Sequence, residues 1–186
     1  MTFNAIIYLL VIFAELLFFP LLAIYIISVT ISWLYGAPYV ATRNDELKKL
    51  LAKIKKRLNY NTHFIELGCG DGRVTRMAVK IYNVDGIGYD INPVLIFVAR
   101  IFARFQQLPR AQFQRKNILD LDLSKANVIY IFLLPPLVLK TKTNLLNALK
   151  RGSLVVSHGF KIPFLQQYLT DQVNGVRFKT YYYTYH

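Results

Sequence analysis

Cysteine is almost missing from this chain, with one in 186 residues. That excludes a disulfide framework and a structural Cys₄ zinc site, and no other metal site is expected. Charge is scarce too: 18% of residues are charged, against roughly 25% in an ordinary soluble domain, while 54% are hydrophobic. This balance excludes a disordered chain and a collagen-like fibre. No Lys or Arg precedes Arg43, and Glu15 is the only charged side chain in that stretch. The remainder carries all 23 basic residues and nine of the ten acids, so the chain's net +13 becomes +14 for the body alone. An apolar N-terminus precedes a basic body.

The N-terminal run, 3 to 35, reads FNAIIYLLVIFAELLFFPLLAIYIISVTISWLY. A run of about 18 apolar residues suffices for a transmembrane helix candidate. At about 1.5 Å per residue this one reaches roughly 45 Å, against a hydrocarbon core of about 30 Å. One span is expected, with a tilt, a kink at Pro20 or an interfacial start absorbing the excess; two spans do not fit. Trp33 and Tyr35 stand where an interfacial aromatic belt would hold the helix end. Arg43, Lys48, Lys49, Lys53, Lys55, Lys56 and Arg57 crowd the C-terminal flank. The positive-inside rule then puts the body on the cytoplasmic or mitochondrial matrix side, with the basic flank on anionic lipid headgroups. A cleaved signal peptide fits less well, since it wants a basic start and a shorter apolar core. Glu15 is read as lying near the outer interface.

In the body, the leucines and isoleucine from Leu47 to Leu58 recur at helical spacing, predicting a helix from Asp45 to Arg57 capped by Asn44 or Thr42. Strands are predicted at 63–67, 85–90, 112–115, 127–133, 153–157 and 176–185. Helices are predicted after the glycine loop to Tyr82, from Pro93 to about Gln107, and from about Leu137 to Lys150. Strands alternating with helices argue for one α/β domain with a mostly parallel sheet.

The chemistry concentrates in Glu66-Leu-Gly68-Cys69-Gly70-Asp71-Gly72, between a predicted strand and a predicted helix. Glycines let a backbone turn tightly and approach a ligand closely. A dinucleotide fingerprint spaces them G-x-G-x-x-G to seat a pyrophosphate on the helix N-terminus. Here the spacing is G-x-G-x-G, with one acid before it and one inside. Two carboxylates would repel a pyrophosphate; they suit an ammonium and a sulfonium, which together describe S-adenosylmethionine. Asp90, ending the second strand, can accept hydrogen bonds from both ribose hydroxyls; Ile91 and Asn92 beside it are expected to bind the cofactor with it, Asn92 also holding the turn. Asn117 and Ile118 fall where an adenine would lie, an amide for its edge and an apolar wall for its face.

These stretches, FIELGCGDGRVT and GYDINP, resemble motif I and the following acidic motif of seven-β-strand (class I) methyltransferases. With APYVAT (37–42) after a membrane segment and NVIYIFLLP (127–135), the chain is similar to the membrane-anchored protein-lysine N-methyltransferases. Animal members of that family sit in the inner mitochondrial membrane and modify the ATP synthase c-subunit or the adenine nucleotide translocase. The resemblance covers roughly 37–165. It implies a Rossmann-like seven-stranded class I sheet over 37–186, preceded by one transmembrane anchor over 1–36. It implies that Glu66, Gly68, Cys69, Gly70, Asp71 and Gly72 cradle the methionine part of the cofactor, and Asp90 the ribose. Tyr39 and Thr42 would lie over the cofactor near the transferred methyl. Leu133, Leu134 and Pro135 would line the lysine channel. Asn117 departs from the pattern, standing where many relatives carry an acid.

Methyl transfer asks for in-line positioning more than for a catalytic base, and no single residue stands out as one. Asp45 and Glu46 read as helix-dipole partners, Cys69 as a packing residue, His158 as a loop histidine and the C-terminal tyrosines as sheet packing. The acceptor is expected to be a lysine of a membrane-associated protein. A lipid headgroup or quinone is the alternative, as is RNA, suggested by the basic body. RNA is disfavoured because Leu134-Pro135-Pro136-Leu137 offers no polar residue to grip a base amine. A cofactor-binding membrane adaptor without activity comes last.

Overall fold

The computed structural model describes residues 3–34 and 42–185. Helix α1, Phe3–Leu34, runs unbroken through Pro20, so the proline does not divide it. Its segment Asn4–Trp33 is long and apolar enough to cross a membrane. From Ile6 to Val29 its large apolar side chains stand outside the protein interior; Ser28 and Ser32, one turn apart, are the buried ones.

The body follows as α2 (Asn44–Lys53), β1 (His63–Leu67), α3 (Arg73–Tyr82), β2 (Asp85–Asp90), α4 (Pro93–Phe105), β3 (Ala111–Arg115), β4 (Val128–Ile131), α5 (Pro135–Lys140), α6 (Lys142–Lys150), β5 (Leu154–His158), β6 (Leu169–Asn174) and β7 (Lys179–Tyr183). The seven strands form one sheet in the order β3-β2-β1-β4-β5-β7-β6. β1 to β5 are parallel, and β7 is inserted antiparallel between β5 and β6. The order reverses between β1 and β4, which opens a crevice at their carboxyl ends.

Alternation along the strands sends side chains to two cores. Phe64, Val128 and Val156 meet Leu47, Leu51, Ala78, Val79 and Ile96 beneath α2, α3 and α4. Ile65, Leu67, Ile129 and Val155 meet Leu145 and Leu149 beneath α6. Full burial of one such Leu contributes about 1.5–3 kcal/mol, so these layers hold the sheet edge that carries the crevice.

Several boundaries differ from expectation for local reasons. α2 stops at Lys53 and continues as a 3₁₀ turn over Lys55–Arg57. Its cap is Arg43, which makes no capping bond; its guanidinium pairs with Asp45 at 3.1 Å. The helix expected from Leu137 to Lys150 is two, divided at Thr141, whose hydroxyl donates to the Val138 carbonyl at 2.7 Å. β4 ends at Ile131, so the chain leaves the sheet before Phe132. The expected strand over 176–185 shortens to Lys179–Tyr183, because Gly175 N–H bonds the Phe178 carbonyl at 2.9 Å and turns the chain back into β6. β6 gave no signal: as an edge strand reading LTDQVN it buries little and shows no apolar alternation.

Candidate active site

β1 delivers the glycine loop to the crevice. The N–H groups of Gly68 and Cys69 both donate to the Tyr89 carbonyl, at 2.8 and 2.9 Å, which ties the loop to β2. Gly68 has φ +73° and Gly72 φ +74°, in the left-handed region that favours glycine. A Cβ at Gly68 would run into Leu133, and one at Gly72 into Phe113 and Ala99. Asp90 closes the turn: Oδ2 accepts from Gly70 N–H at 2.8 Å and Oδ1 from Asn92 N–H at 2.9 Å. Burial raises the Asp90 pKa against the pull of those donors.

The other two acids have local partners. Glu66 is buried, and its Oε2 accepts from both the N–H and the hydroxyl of Thr75, at 2.9 and 2.6 Å. Burial, opposed by these bonds, pushes its pKa up to about 8. Burial also works against ionisation of Asp71, but the Arg73 guanidinium at 2.9 Å outweighs it and holds that carboxyl below its usual range. Cys69 is 4% exposed. Burial and the nearby Glu66 and Asp90 carboxylates push its thiol well up, making it a packed group rather than a nucleophile.

Gly68, Asp90, Ile91, Asn117, Ile118 and Leu133 line one cleft, together with Lys116 and Leu137. Within it Asn117 Oδ1 accepts from Leu119 N–H at 3.1 Å and starts a 3₁₀ turn. Leu134 and Pro135 do not join this cleft. Pro135 lines a neighbouring apolar groove of about 480 Å³ with Pro136, Leu139, Ile162 and Phe164. Thr42 is buried; its hydroxyl lies 3.3 Å from the Tyr130 hydroxyl and its carbonyl accepts from Arg73 at 3.3 Å. Tyr39 lies outside the described residues. Asn92 faces away from the cleft. Its Oδ1 accepts from Val94 and Leu95 N–H and caps α4, while its Nδ2 donates to the Ser28 carbonyl and to the hydroxyls of Ser28 and Ser32, at 2.9–3.0 Å.

A second polar group went unforeseen. Glu46, His158, Thr180 and Tyr182 line a pocket of about 200 Å³ beside β7. His158, the last residue of β5, is 2% exposed, with Nδ1 2.9 Å from Thr180 Oγ1 and its pKa lowered by burial. Glu46 is no dipole partner at the surface: it is buried, and its Oε1 accepts from the Val176 and Arg177 N–H groups. No sequence signal could have joined these residues, which meet only through the β5–β7 pairing and a turn 130 positions from Glu46. Lys116 had a weak one, since it directly precedes the adenine candidate Asn117.

The lining suits an adenosine group, with Asp90 as its carboxylate and Lys116 as its amine. Ile91, Ile118 and Leu133 supply apolar walls. The solved structures supply the cofactor: an RNA methyltransferase from Salinibacter ruber in complex with S-adenosyl-L-homocysteine superposes with a TM-score of 0.71 at 26% identity, covering 78% of this chain and 93% of that one. Fold and cofactor thus define a seven-stranded, S-adenosylmethionine-dependent methyltransferase.

Among curated proteins, a protein-lysine N-methyltransferase of Saccharolobus islandicus is 33% identical over 135 residues, 70% of this chain and 81% of that protein. The mouse adenine nucleotide translocase lysine N-methyltransferase is 28% identical over 130 residues, 69% of this chain and 56% of the mouse protein. Residues 66–168 match the model of the ANTKMT methyltransferase domain, and the chain belongs to that family.

Proposed function

We propose that this enzyme N-methylates lysine on a membrane-associated protein, with 1–36 as a single-pass anchor and 37–186 as the catalytic domain on the cytoplasmic or matrix side. One observation carries the membrane part. Asn92, two residues from Asp90 in the cofactor turn, holds Ser28 and Ser32 of an exposed apolar helix. The cleft is therefore fixed to whatever surface α1 enters. The lysine part is supported by the two lysine methyltransferase relatives.

When bound, S-adenosylmethionine supplies a methyl group on a positively charged sulfonium. Asp90 would accept from the ribose hydroxyls, and Ile118 and Asn117 would hold the adenine. Glu66 acts one step back, fixing the start of α3 through Thr75 so that the glycine loop keeps its shape. Leu133 and Leu137, the apolar side of the cleft, keep water from the acceptor amine. A dry wall also lowers the pKa of an incoming lysine and so favours its neutral, nucleophilic form. The remaining work is in-line alignment.

RNA is the second reading, motivated by the Salinibacter enzyme and the basic body. The apolar Leu134-Pro135-Pro136-Leu137 stretch speaks against it. The two separate on incubating full-length protein, labelled S-adenosylmethionine and membranes from a strain lacking the enzyme, with Asp90→Ala as control. Label in a discrete protein band, lost in the control, is expected. Label confined to RNA or to extracted lipid would overturn the proposal.

A further inference from the structure

Helix α4 has two apolar faces, and the sheet uses only one. Ile96, Ala99 and Ala103 are buried against the core. On the opposite side, at 100° per residue, Val94, Phe97, Val98, Ile101, Phe102 and Phe105 form one continuous strip. Phe97 is 64% exposed and Phe105 82%. Arg100 and Arg104, both exposed, run along one border of the strip. Phe102 is stacked under the Arg76 guanidinium and Arg100 Nε donates to the Phe113 carbonyl at 2.9 Å, so Phe97 and Phe105 are the two rings that stand fully outward, in one apolar strip.

The strip starts where α1 docks. Asn92 is the N-cap of α4 and, through Nδ2, the hydrogen-bond partner of Ser28 and Ser32. α1 and α4 pack together at this point. We propose that the outer face of α4 lies on the lipid bilayer as a second membrane contact, with Phe97 and Phe105 in the headgroup–acyl boundary and Arg100 and Arg104 on anionic headgroups. This rests on the reading of α1 as an anchor. The occupant is lipid because the strip continues from α1, whose exposed apolar side chains the anchor reading gives to lipid, and because its border is basic. Two contacts, a span and a strip, fix the tilt of the domain and the height of the Asp90 cleft above the bilayer. The strip adds a second restraint to the one that the Asn92 joint supplies.

The test uses full-length protein in vesicles of anionic phosphatidylglycerol and brominated phosphatidylcholine, whose bromines quench tryptophan at the acyl boundary. Trp33, the only tryptophan, reports on α1 in the unaltered chain. In a Trp33→Phe background, Phe97→Trp and Phe105→Trp report on α4, and Asn147→Trp, exposed on α6 across the sheet, is the reference. Quenching of both α4 probes several-fold above the Asn147→Trp reference is expected. Quenching of Trp33 with either α4 probe at the reference level would overturn the strip while leaving the anchor standing. An unquenched Trp33 with quenched α4 probes would overturn the anchor and leave the strip.

Discussion

Helix α1 and the sheet domain answer to different solvents. The domain turns its Leu, Ile and Val side chains into two cores and shows the outside a basic surface. α1 does the reverse, exposing nearly all its apolar side chains and burying two serines. The described residues join the two chiefly through one amide, that of Asn92, shared among three oxygen acceptors. The stability of the domain and its position relative to a membrane are thus separable properties. Substitutions in the cores alter the first, and substitutions at the joint alter the second.

The largest effect is expected inside the domain, at Gly72→Val. The side chain would combine a positive φ with collision against Phe113 and Ala99. Strain and overpacking together cost on the order of 3–5 kcal/mol, read by urea unfolding of the detergent-solubilised protein. Retained stability would show that the loop is looser than its contacts indicate.

Glu66 comes next, and its effect depends on pH. Its folded pKa, about 8, lies above the ordinary 4.5, so the folded protein keeps a proton that the unfolded chain has released. Stability from this group is greatest below about 4.5, falls as pH rises towards 8, and is level above that, a change on the order of a few kcal/mol. In Glu66→Gln the decline between pH 5 and 8 should flatten, as thermal unfolding at several pH values would reveal. An unchanged slope would assign the decline to other groups.

Asn92→Ala attacks the joint. Losing the α4 cap and stranding the serines should cost about 1–2 kcal/mol. Asn92→Ser restores a cap without restoring the amide. It should recover most of the domain's stability while hydrogen exchange around Ser28 and Ser32 still accelerates. Equal behaviour of the two variants would mean that the joint and the cap are one feature. The smallest effect belongs to Lys53→Ala at the α2–β6 surface. The Lys53–Asp171 pair is 2.6 Å long but nearly half exposed on both sides, and such pairs contribute at most about 1 kcal/mol.

What the sequence revealed follows the same division. β1, β4 and α4 were legible because short apolar runs and a Pro at the first helical turn are local signals. The acid–glycine-loop–acid order was likewise local, and it led to the cleft. Other features were not local. Asn92 was read as shaping a turn, but its amide serves α1, 60 residues earlier. Glu66 was assigned to the ligand, whereas its carboxylate faces Thr75 on the far side of the loop, an orientation that spacing does not encode. Pro135 was grouped with Leu133 on one channel, yet the chain turns into α5 at that proline and the two side chains line different hollows. The Glu46–His158 pocket depends on pairing across the β5–β7 edge, and β6 itself carries no pattern.

The most direct test of the central claim is the chemical identity of the product. Membrane protein labelled by the full-length enzyme and tritiated S-adenosylmethionine would be acid-hydrolysed and its amino acids separated. The account predicts label co-eluting with methylated lysine and absent from the Asp90→Ala reaction. Label eluting with methylated arginine or histidine, or found in nucleotides, would contradict it.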